Sequence, residues 1–143
     1  MKILALALVC AASLAHAEPA SKPSPHDLHA AECVVALEAD TQALAQQVKD
    51  GNEAPRALLL DRLIAGVAFV GDTYLHGSSD EQQARALADR AREAQKRLPP
   101  AQLAARQVAC AAEGTKLYAD SNGLEKVVVR RLAMKRMAKL LGT

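Results

Sequence analysis

From Asp27 onward, apolar or small residues recur three and four positions apart, at Ala30, Cys33, Val34, Leu37, Thr41, Leu44 and Val48. That spacing lays one continuous stripe along an α-helix. No stretch alternates apolar with polar residues for long enough to make a half-buried strand, so helices packed on helices are what the chain can build. Hydrophobic residues make up 50% of the chain but rings only 2%, with Phe69, Tyr74 and Tyr118 the only ones. The core must therefore be Ala, Leu and Val, and Ala and Leu favour helix while strand formers are thin.

Asp27 serves as an N-cap for a first helix over Asp27–Lys49, which Asp50-Gly51-Asn52 halts, Gly51 suiting the left-handed backbone beyond a helix end. Pro55 fits the first turn of a second helix, Arg56 to Leu75. There Leu58, Leu59, Leu60, Leu63, Ile64, Val67, Phe69 and Val70 cover more than one face, which predicts a central position. Gly66 and Gly71 inside it each cost about 1 kcal/mol relative to Ala, which points either to close approach of another backbone or to a ligand crevice. Gly114, Tyr74 and Tyr118 could line the same crevice, or the tyrosines could simply pack with their hydroxyls at the rim.

Ser79-Asp80-Glu81-Gln82 reads as a capping box opening a third helix, with Ala84, Leu87, Ala88, Ala91, Ala94 or Gln95, and Leu98 inward and Glu81–Arg85 and Glu93–Arg97 as i,i+4 ion pairs. Pro99-Pro100 breaks the chain. A fourth helix then turns Leu103, Val108, Cys110, Ala111, Leu117 and Tyr118 inward, with Gly114 one turn beyond Cys110 where a close crossing would help. Asn122 with Glu125 caps a fifth helix, Leu124 to Leu141, although one long bent helix from Pro100 to Leu141 also fits. The fold class is all-α: an antiparallel bundle of four to five helices in a single domain over 27–143, sequential helices being neighbours through short connections.

The N-terminus carries an address. Lys2, the apolar run Ile3 to Leu14 and the small residues of Ala15-His16-Ala17 form a secretory signal peptide over 1–17, so export to the periplasm or the medium is expected. The run is too short to span a bilayer, and no integral membrane segment is expected after cleavage. Residues 18–26, with three prolines among them, form a flexible lead-in. Cys10 leaves with the signal. Cys33 and Cys110 remain, and in an oxidising compartment they are most simply one disulfide, joining helices one and four across about half of the chain. A loop of that length stabilises the fold by about 4 kcal/mol on the chain-entropy account.

A formal charge of +2 and the scarcity of rings exclude a dedicated nucleic-acid binder. The charge is unevenly placed. Lys126, Arg130, Arg131, Lys135, Arg136 and Lys139 stand against Glu125 alone on the fifth helix, a basic surface for an acidic protein or an envelope component. The cations are scattered around the helical wheel instead of segregating opposite the apolar Leu124, Val128, Leu132, Met134, Ala138 and Leu141, which disfavours a membrane-surface helix. His26 and His29, three apart, could present two imidazoles to one metal, although a closed site needs four ligands. His76-Gly-Ser-Ser-Asp80 holds the residue types of a hydrolase triad, but sequence adjacency is not how triads assemble. Nothing matches a nucleophile elbow, a phosphate loop, a zinc-protease motif or a haem attachment site, so no cofactor is implied. The expected role is a non-catalytic interaction or structural module of the cell envelope, with a periplasmic carrier of a small ligand or metal ion as the alternative.

Overall fold

The computed structural model describes residues 22–77 and 80–143; the signal-peptide reading falls outside them. Five helices follow in chain order: α1 Pro25–Lys49, α2 Arg56–His76, α3 Glu81–Gln95, α4 Pro100–Asp120 and α5 Gly123–Leu141. Among the described residues there is no strand, and none of these helices is long and apolar enough to cross a membrane. The region after Pro99 is two helices, because Asn122 breaks the run and caps α5 reciprocally with Glu125.

Several boundaries differ from expectation for reasons of capping. α1 begins at Pro25 because Ser24 is the N-cap, while Asp27 sits at the third helical position and its carboxylate accepts a hydrogen bond from the Ser24 backbone N–H. Pro25 tolerates the first turn, where its missing N–H has no partner to lose. α3 is capped by Asp80, whose carboxylate accepts from the amides of Gln82 and Gln83. Gly51 takes the left-handed conformation foreseen for it, with φ 92°.

The helices pack on one another as a bundle whose centre is shared. α2 packs against α1, α4 and α5, and α1 meets all four of the other helices. This explains why Val35 and Ala36 are buried alongside the stripe from Ala30 to Val48. α1 and α2 run antiparallel, since His26 pairs with Asp72 and Asp40 with Arg62. The sequential-neighbour rule fails for α3. It lies along α1 in the same sense, with Ala30 and Ala84 walling one cavity and Glu38 paired to Arg92 farther along.

Two apolar clusters form the interior. The first gathers Ala30, Cys33, Leu37, Ala65, Phe69, Cys110 and Ala111 around the joined sulfurs, and the second gathers Leu44, Leu59, Leu63, Ile64, Val129 and Ala133 at the other end. Cys33 and Cys110 are bonded, with Cα atoms 5.2 Å apart and a sequence separation of 77. On α4 and α3, Val108 and Ala84, expected inside, are outside: Val108 is 64% exposed, because α4 turns Cys110, Ala111 and Gly114 inward instead, and Ala84 is likewise exposed. On α5 the buried stripe is Val129 and Ala133, supported by Met137 and Leu140.

Candidate functional site

α5 sorts its cations into two sets. Lys126 donates its Nζ to the Ala119 carbonyl at 2.7 Å, satisfying the end of α4. Arg136 donates to Glu38 Oε1 at 3.0 Å, and Arg92 of α3 donates to Glu38 Oε2 at 2.9 Å, so one half-buried carboxylate ties α1, α3 and α5 together. The carboxylate beside Arg92 holds its guanidinium above the usual arginine range. Arg130, Arg131, Lys135 and Lys139 form no ion pair with any described residue. Arg131, Lys135 and Lys139 fall four apart and so make a row along the outward face. Beside that row lie the exposed side chains of Leu124, Val127, Val128, Leu132 and Met134, Leu124 being 75% exposed. Of these, Leu124, Val128, Leu132 and Met134 belong to the side that the sequence reads as apolar and inward, and they are outside because Val129 and Ala133 already fill the contact with α2.

The two N-terminal histidines part company. His26 Nε2 lies 2.7 Å from Asp72 Oδ2 on α2, and the other oxygen of Asp72 meets His76 Nδ1 at 2.9 Å. His29 turns toward α4, with its Nε2 2.8 Å from Glu113 Oε2 and 3.8 Å from Cys33 Sγ. His29 stands edge-on to Phe69, ring centroids 6.3 Å apart. His26 and His29 thus face different helices. The cluster that sequence reading missed is His29, Cys33 and Glu113, whose ligand atoms all lie within 4.8 Å of one another. Its signal was in the chain: His29 and Cys33 are one turn apart on α1, Cys110 and Glu113 one turn apart on α4, and the disulfide overlays the two pairs. Of the triad types near α3, His76 is engaged with Asp72 and Asp80 with the α3 amides.

The crevice residues are not brought together. Gly66 lines a cavity of about 50 Å³ beside Leu37 and Arg62, Gly71 faces open space, and Gly114 is buried against Ala65 of α2. Tyr118 packs at the edge of the second cluster. Tyr74 borders a separate cavity of about 420 Å³ between α1, the end of α2 and α3, walled by Ala30, Val34, Val70 and Leu87 and rimmed by Asp27 and Gln83. No protein-family model matches the chain, and neither a curated protein nor a solved structure is significantly similar to it.

Proposed function

We propose that the protein is an exported, non-catalytic helical module that binds an acidic protein or envelope component through the outward face of α5. The observation that carries this reading is the coexistence on one face of three cations without a counter-charge, Arg131, Lys135 and Lys139, and a parallel row of exposed apolar side chains, Leu124, Val128 and Leu132. A bundle helix that served only packing would gain nothing from either row. Cations supply steering and orientation toward an acidic surface, and desolvated apolar side chains supply the bulk of the affinity. The disulfide between α1 and α4 gives the face a fixed support suited to an oxidising compartment. The test is capture from an envelope extract at low and high salt by the wild-type protein and by the variant carrying Arg131→Glu, Lys135→Glu and Lys139→Glu. Recovery should fall with salt for the wild type and be low throughout for the variant; equal recovery in all four arms overturns the reading.

A second reading, a carrier of a small apolar ligand, draws on the cavity of about 420 Å³ beside Tyr74, whose volume lies within the range of ligand sites. Native mass spectrometry of protein purified from its own host separates the two. A retained small molecule favours the carrier, and a clean apo mass the docking module.

A further inference from the structure

The geometry points to a divalent-metal site that exists only in the reduced protein, built from the thiolates of Cys33 and Cys110, the Nε2 of His29 and the carboxylate of Glu113. The four residues come from two crossing helices, one pair from each, and the bond between the sulfurs already holds the pairs face to face. Zinc with bonds of about 2.0 to 2.3 Å in a tetrahedron sets its ligand atoms roughly 3.3 to 3.8 Å apart. His29 Nε2 stands 3.8 Å from Cys33 Sγ and 2.8 Å from Glu113 Oε2, so three of the four donors already surround a common point. Cys110 supplies the fourth donor: once reduction parts its sulfur from that of Cys33, the side chain turns toward Glu113, which stands three residues on along the same helix.

The chemistry of the donors is matched to a borderline cation. Two thiolates and an imidazole select zinc over calcium or magnesium, and the carboxylate closes the fourth position, leaving none for substrate. The site is therefore of the structural or storage type. Phe69, packed edge-on against the imidazole, limits how the His29 ring can turn. Cys33 and Cys110 are 1% and 4% exposed, whereas His29 and Glu113 reach solvent and offer the metal an entry path.

Disulfide and metal compete for the same two sulfurs. A dithiol donor transfers two electrons and two protons to the Cys33–Cys110 bond, which breaks as the donor closes its own disulfide. The cation then displaces both thiol protons to solvent and forms two metal–sulfur bonds, replacing one α1–α4 link by another. A disulfide-bearing oxidant reverses the exchange: the two thiolates yield two electrons, the sulfur–sulfur bond re-forms, and the metal leaves. Occupancy of the site thus reports the redox state of the compartment.

The experiment reduces the full chain with a phosphine, removes the reductant and titrates with Zn²⁺, and separately with Co²⁺ as a spectroscopic probe. One equivalent should bind the reduced chain at least about 100-fold more tightly than the oxidised chain. Cobalt should show the visible bands of a tetrahedral site together with thiolate charge transfer in the near ultraviolet. His29→Ala and Glu113→Ala should each weaken binding by about tenfold or more. Equal affinity in both redox states overturns the assignment, as does a His29→Ala/Glu113→Ala double variant that binds like the wild type, since the thiols would then act alone. If reduction lowers the helical circular dichroism, recovery on adding zinc supports the site and failure to recover overturns it.

Discussion

Gly114 of α4 lies so close to Ala65 of α2 that a Cβ on the glycine would stand 2.7 Å from the Ala65 carbonyl oxygen and 2.8 Å from its Cβ. Both are parts of a fixed backbone or its first side-chain atom, so no flexible group can give way. The two helices cross at the distance this absence of a side chain permits, and the crossing sits one turn from the disulfide. Gly114→Ala should therefore destabilise the fold by about 1 to 3 kcal/mol, the usual cost of overpacking, despite the better helix propensity of alanine. Gly71 provides the control. It is helical, and a Cβ there would meet nothing within 4 Å, so Gly71→Ala should stabilise by about 0.5 to 1 kcal/mol. Urea unfolding of both variants tests the pair, and equal effects would refute the close crossing.

The bond between Cys33 and Cys110 closes a loop of 77 positions, and its removal should be felt mainly through the unfolded chain. The double variant Cys33→Ser/Cys110→Ser should lose about 4 kcal/mol in denaturant midpoint analysis without added metal. A loss well under 1 kcal/mol would mean that the unfolded chain is already compact or that the bond is strained.

Helix existence was legible in the chain because capping and periodicity are local. Pro55, Pro99-Pro100 and the Asn122–Glu125 pair punctuate it where the helices stop and start. The pairing of Cys33 with Cys110 was legible because only two cysteines follow the expected leader. What the chain hides is which of several apolar arcs each helix buries. α5 carries Leu124, Val128 and Leu132 on one side and Val129, Ala133 and Met137 on another, and hydropathy alone prefers the first. The small side chain of Ala133 wins because it lets α5 approach α2, a property of the partner surface. For the same reason His29 was read with its sequence neighbour His26, although α4 supplies its real neighbour, Glu113.

Glu38 receives Arg92 from α3 and Arg136 from α5, and it is the least exposed of the three. Replacing it removes two inter-helix links at once. Because both arginines remain half in solvent, Glu38→Ala should cost only about 1 kcal/mol, and the difference from wild type should shrink in high salt as the pairs are screened. Thermal melts at low and high salt check this; a salt-independent difference would assign the effect to lost packing.

Acid stability should carry a small signature of two exposed carboxylates. A hydrogen bond from Arg56 lowers the pKa of Glu53, and one from Lys96 lowers that of Glu93. A carboxyl group that binds its proton less readily in the folded chain than in the unfolded one stabilises the fold above the ordinary carboxylate value of 4.5. That contribution is lost as pH falls through the lowered folded value. The double variant Glu53→Gln/Glu93→Gln should be slightly less stable than wild type at neutral pH and converge with it in acid. A constant gap across the pH range would remove the two groups from the account.

The α5 face offers a separation of charge from apolar contact. Arg131, Lys135 and Lys139 have no partner among the described residues, so reversing all three should leave the unfolding free energy within about 0.5 kcal/mol of wild type. Association with an acidic partner is where the reversal should register, as a slower on-rate and a flattened dependence on salt. Truncating Leu124, Val128 and Leu132 to alanine should act on the other side of the kinetics, speeding dissociation while leaving the salt slope in place, because apolar contacts form only after the surfaces meet. Surface-plasmon kinetics on a partner recovered at low salt resolves the two. If both variants dissociate and associate like the wild type, the outward face of α5 is not the contact, whatever else binds.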